Sequence, residues 1–146
     1  MDEITPAEDI RRIVVGYDDT EPAKRALERA AQLAAASGAQ IRIVSVARPF
    51  VVAGHGVGPV DPVDPPELHR EQVAHAAARL AELGLEADSE VVLGEPAREI
   101  VRLAEQEQAD LIVVGTREPD FLERLFGLSV SESVERRAHC DVLIVH

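Results

Sequence analysis

The chain has 146 residues, 46% of them apolar but only 3% aromatic, and carries a net charge of −12. The length suits one domain. The acidity argues against nucleic acid and against an anionic membrane surface, since both need a basic face. With no Trp, the core must be aliphatic, as where helices pack on a parallel sheet. Cys140 is the single cysteine, so no intrachain disulfide forms, and this usage fits a reducing compartment. No apolar run approaches the length of a membrane span.

Residues 1–9, MDEITPAED, are acidic and polar, lack the character of a signal peptide, and are expected to be flexible. Arg12 to Tyr17 is a short apolar run that reads as the first strand. Asp18, Asp19 and Thr20 precede Pro22, a helix-start signal. The spacing of Ala23, Ala26, Leu27, Ala30, Ala31, Leu33 and Ala34 predicts a helix over 22–37, stopped by Gly38. Gln40 to Ala47 is the second strand. Residues 48–66 hold three glycines and five prolines without helical period and read as a surface loop. A second helix is expected over 67–83, with Val73, Ala76, Ala77, Leu80 and Leu83 inward and Gly84 as its stop.

Leu85 to Leu93 alternates before turning fully apolar, as a strand near a sheet edge does. Gly94-Glu95-Pro96 leads into a third helix over 97–108. Leu111 to Val114 is apolar throughout, which predicts a central strand. A fourth helix is expected to start at Ser129, and Asp141 to Val145 is the last strand. Strands alternating with helices imply a parallel sheet with right-handed crossovers and helices on both faces. Ligands on such sheets bind beyond the C-terminal ends of the strands, where the winding reverses. Asp18, the loop after Val46 and the turn after Val114 are thereby expected around one crevice.

Gly115 to Ser131 is the main candidate site. A helix N-terminus offers unpaired N–H groups and partial positive charge, both suited to phosphate. Ser129 and Ser131 add hydroxyls, but Ser129-x-x-Glu132 also matches a capping box that needs no ligand. Glu118, Asp120 and Glu123 would repel a phosphate, while Arg117 and Arg124 would offset them. Asp18 is placed to accept from a ribose or base, or it or Asp19 caps the first helix. Gly54-His55-Gly56-Val57-Gly58 lies outside the strand-to-helix setting of a phosphate loop and reads as a mobile loop. Glu71 and His75 are four apart and read as an exposed pair rather than metal ligands. Cys140 reads as a small core residue. No nucleophile–base pair is legible, so neither catalytic nor metal residues are assigned.

Ile13-Val14-Val15-Gly16-Tyr17-Asp18-Asp19-Thr20, Gly94-Glu95-Pro96-Ala97, Ala109-Asp110-Leu111-Ile112-Val113-Val114-Gly115-Thr116-Arg117, Leu128-Ser129-Val130-Ser131-Glu132-Ser133-Val134 and Ala138-His139-Cys140-Asp141-Val142-Leu143-Ile144-Val145 stand in one order along the chain. Together they resemble the universal stress protein family over residues 10–146. The resemblance implies an α/β domain spanning 10–146, related to the adenine nucleotide alpha hydrolases, with a five-stranded parallel sheet in the order 3-2-1-4-5. It implies a cytoplasmic stress-response role, regulatory or protective, with no reaction of its own. The unknown protein partner aside, it implies a homodimer through strand 142–145, whose apolar edge invites pairing.

Family members that hold ATP carry a glycine motif, G-x2-G-x9-G-[S/T]. By position its first glycine is Gly115 and its hydroxyl Ser129, while Glu118 and Leu128 replace the other two glycines; Gly127 lies one residue early. The resemblance therefore implies weak or absent ATP binding and no resident cofactor. The nucleoside end is better kept. Asp18 matches the family's adenosine-side Asp, Val46 the residue whose backbone contacts adenine, and Gly115 belongs to the same pocket; Val130 and Ser131 complete the set. AMP remains compatible with that end. The alternative is a sensor that still takes ATP or AMP, with slow ATP hydrolysis only in that case.

Overall fold

The computed structural model describes residues 9–52, 56–60, 64–116 and 130–146, with the backbone alone for 50–52 and 56–60. Strand β1 (Arg12–Gly16) leads to helix α1 (Glu21–Ser37) and strand β2 (Gln40–Ala47). Strands β3 (Pro49–Val52) and β4 (Gly56–Val60) follow, then helix α2 (Pro66–Glu82) and strand β5 (Ala87–Leu93). Helix α3 (Pro96–Glu107), strand β6 (Leu111–Gly115), helix α4 (Val130–Arg137) and strand β7 (Asp141–Val145) complete the described chain.

Five strands form one parallel sheet in the order β5-β2-β1-β6-β7. Numbered among themselves, these are strands 3-2-1-4-5, the expected order. β1 is central because Ile13, Val14 and Val15 are apolar in succession and buried from both faces. Its two sides feed two cores. Ile13 and Val15 pack with Ile41, Ile43 and the inward faces of α1 and α2. Val14 packs with Val44, Ile112 and the inward faces of α3 and α4.

Helix α1 starts where Thr20, in extended backbone, accepts from the Ala23 N–H, and it ends at Gly38, whose φ of 75° is left-handed. Helix α3 ends differently, with Gln108 itself left-handed at φ 53°. Two expectations are corrected. Residues 48–66 are not all loop, because β3 and β4 pair antiparallel as a hairpin. The apolar, β-prone run PFVV and the spaced valines of GVGPV carry that strand signal, which the prolines and glycines obscure. Leu83 is 44% exposed rather than inward, because α2 stops at Glu82 and Leu83 no longer follows the helical face.

Candidate functional site

The C-terminal ends of β1, β2 and β6 surround a cavity of about 240 Å³, lined in part by Asp18, Val46, Gly115 and Val130. These four residues are far apart in sequence, and the parallel sheet brings them together because every strand C-terminus falls on the same side. Ser131 is buried at 4% exposure and does not line the cavity. Ser129, Glu118, Gly127 and Leu128 lie outside the described residues.

The β1–α1 turn is built around carboxylates. Asp18 Oδ1 accepts from the Thr20 hydroxyl at 2.6 Å and from the Thr20 N–H at 3.2 Å. Thr20 in turn caps α1, so Asp18 supports the cap rather than making it. Asp19 sits at φ 63°, a region that Asp tolerates. Its Oδ1 accepts from the Tyr17 hydroxyl at 3.0 Å. Burial pushes the Tyr17 phenol well above its usual pKa, and the bond to Asp19 and the charges of Asp19, Asp18 and Glu21 add to that.

Gly115 has a reason of its own. A Cβ there would stand 2.4 Å from the Pro22 carbonyl carbon and 2.8 Å from the Ala23 nitrogen. The first turn of α1 therefore rests on the end of β6, and only glycine permits that approach.

At the β2 and α2 end stands an array that sequence reasoning missed. The Ser45 Oγ lies 2.5 Å from His69 Nδ1, and His69 Nε2 lies 2.5 Å from Asp64 Oδ1. Asp64 Oδ2 accepts the Arg48 N–H at 2.9 Å. Burial tends to raise the Asp64 pKa, but the Arg48 N–H, the His69 bond and the nearby charges of His69 and Arg48 outweigh it, so the carboxyl titrates below its usual range. The expectation that no nucleophile–base pair exists is thus corrected in geometry.

The chemistry of a nucleophile does not follow. Ser45 is 1% exposed and does not line the cavity. The ring is also reversed relative to a serine hydrolase, where Nε2 faces the serine and Nδ1 the carboxylate. The array instead ties the segment after β2 to α2. Its signal in the sequence was the helical spacing of His69, Val73, Ala76 and Leu80, which puts the imidazole on the buried stripe of α2.

Other candidates separate. Glu71 and His75 are both exposed, and among the described residues no group of three or more His, Cys, Asp or Glu could hold a metal. Cys140 is half-buried against the α3 core, and burial with the charge of Asp141 pushes its thiol pKa up. Among the described residues no helix is long and apolar enough to cross a membrane.

The sequence matches the universal stress protein family over residues 9–146. It is 33% identical over 138 residues to a universal stress protein of Methanocaldococcus jannaschii, covering 92% of this chain and 81% of that one. It is 32% identical over 151 residues to a universal stress protein of Mycobacterium tuberculosis, covering 93% and 96%. Its fold is similar to that of a universal stress protein crystallised in complex with cAMP, at a TM-score of 0.71 and 33% identity, with 94% of this chain and 97% of the other covered. The strand order, the crevice at the strand ends and a match that runs from the first strand to the last residue lead to one assignment: this chain belongs to the universal stress protein family.

Proposed function

We propose that this universal stress protein plays a regulatory or protective part in the stress response, without catalysis, and that its crevice takes an adenine nucleoside monophosphate in preference to ATP. In this reading it is a single domain over 10–146, works in the cytoplasm as a homodimer, and acts through an as yet unknown protein partner. The observation that carries it is the convergence of Asp18, Val46, Gly115 and Val130 on one cavity. Asp18 suits a ribose hydroxyl, Val46 the plane of a base, and the start of α4 at Val130 a phosphate. The related protein bound to cAMP supports a monophosphate. Glu118 and Leu128, where ATP-holding relatives carry glycine, argue against a triphosphate.

Acid release of ligand from purified protein, followed by ion-exchange chromatography, tests this reading. Monophosphate or no nucleotide is expected, and stoichiometric ATP would overturn it in favour of an ATP-holding sensor. In calorimetry, Glu118→Gly with Leu128→Gly should bind ATP more tightly than the parent, and no gain would count against the degraded motif.

A further inference from the structure

Away from the crevice, an open groove runs between the outer face of α1 and the end of β7, lined in part by Lys24, Arg25, Glu28, Arg29, Val145 and His146. Lys24, Arg25 and Arg29 concentrate positive charge there, in a chain whose net charge is −12. The one carboxylate among the six is committed elsewhere: Glu28 Oε1 accepts from Arg79 Nε of α2 at 2.6 Å. Lys24 pairs with Glu21 at 3.5 Å. Arg25 Nε donates to the His146 carbonyl at 2.9 Å and so ties α1 to the end of β7. Arg29 lies one turn further along α1, is exposed, and has no ion pair among the described residues.

Strand β7 supplies the matching acid. Leu143 and Val145 pack on the α1 side of the sheet, Val142 and Ile144 on the α3 side. The period of two therefore places Asp141 on the α1 side as well. Asp141 is exposed and has no ion pair among the described residues. In its own chain it stands four residues before Val145, roughly 13 Å along the strand.

A second copy closes that distance. β7 ends the sheet, and two identical strands joined edge to edge about a twofold axis run antiparallel. The Val145 carbonyl accepts from the Thr116 N–H, so the groups free to bond a new strand are those of Val142 and Ile144. Pairing Val142 with the partner's Ile144 matches all five residues of β7, Asp141–Val145, without overhang. Leu143 then faces its own copy, and the partner's Asp141 stands opposite Val145. Opposed residues of an antiparallel pair share a face, with Cβ atoms roughly 5 Å apart. That brings the carboxylate into the groove beside Arg25 and Arg29.

We propose that the α1–β7 groove receives Asp141 of a second copy of this chain, paired with Arg29 and Arg25. The contact is made twice by symmetry and sets the register of the two strands. It rests on the homodimer reading and adds to it the charged residues that decide how the copies align.

Sedimentation of the full chain over a dilution series tests this. Asp141→Lys should weaken the dimer by roughly tenfold or more, even though it lowers the net negative charge that the two copies bring together. Arg29→Asp should weaken it likewise. The two reversals combined restore opposite charges across the interface and the parent's net charge, and should return the dissociation constant to within a few-fold of the parent's. Should either reversal fail to fold, Asp141→Asn and Arg29→Gln serve in its place, each with a loss of a few-fold. A dimeric parent whose folded variants associate as well as it does overturns the Asp141 assignment alone. So does a combined variant that stays as weak as the single ones. A parent that remains monomeric overturns the homodimer reading and this assignment with it.

Discussion

Tyr17 is the only tyrosine and there is no Trp, so its ionisation can be followed without interference. Its folded pKa is raised, so the stability tied to its neutral form is complete below the unfolded value of about 10 and declines as the pH rises beyond it. Absorbance at the phenolate band should show no ionisation until the chain unfolds, and Tyr17→Phe should flatten the alkaline loss of stability. Asp64 has the opposite sign. Its folded pKa is lowered, so its contribution is present above the unfolded value of about 3.9 and is lost as the pH falls through the folded one. In urea titrations between pH 6 and pH 3, Asp64→Asn should be less stable at the upper end and should lose less on acidification. An equal acid slope in both proteins would remove the electrostatic role given to Asp64. Gly115→Ala forces a Cβ onto backbone rather than onto a side chain that can turn away. A loss of about 3 kcal/mol is expected by denaturant unfolding, whether or not any ligand binds.

Helix α1 lies against β1 and β6 and sets one wall of the cavity. Its start depends on Thr20, which bonds the Ala23 N–H and is itself held by Asp18. Thr20→Ala should cost about 1 kcal/mol. Asp18→Ala should give a smaller loss of stability together with a loss of nucleotide affinity, a pairing that thermal melts and calorimetry on the same sample would reveal. The two edges of the sheet are treated differently. On β5, Asp88 and Glu90 stand out toward solvent and pair with Arg42, at 3.9 Å and 3.0 Å, and charge of this kind discourages a further strand. On β7, Val142, Leu143, Ile144 and Val145 are only partly covered within one chain.

At the scale of the whole molecule, that contrast bears on assembly. The Val145 carbonyl accepts from the N–H of Thr116, just after β6, so the backbone groups of Val142 and Ile144 point away from the sheet. We expect a homodimer joined along this strand. Light scattering at dilute concentration should report the dimer mass, and Val142→Pro, which removes one outward N–H, should shift it toward the monomer. A monomer in the parent protein would count against the assembly.

Among the described residues, the sequence by itself determined the five sheet strands and four helices, because each carries its own apolar period, and the local runs that resemble the family implied the strand order. It also singled out Asp18, Val46, Gly115 and Val130, which proved to line one cavity. It did not disclose the β3–β4 hairpin, whose prolines and glycines mask a short alternation. Nor did it disclose why Gly115 is glycine, since the clash is with Pro22, more than ninety residues earlier in the chain. Ser45, Asp64, His69 and Gln72 belong to the same class. Each is unremarkable in its own segment, and only the packing of α2 over the end of β2 joins them. Hydrogen bonds between distant segments have no period in sequence, so what holds the fold was legible from the residues, and what shapes the α2 side of the crevice was decided by tertiary structure.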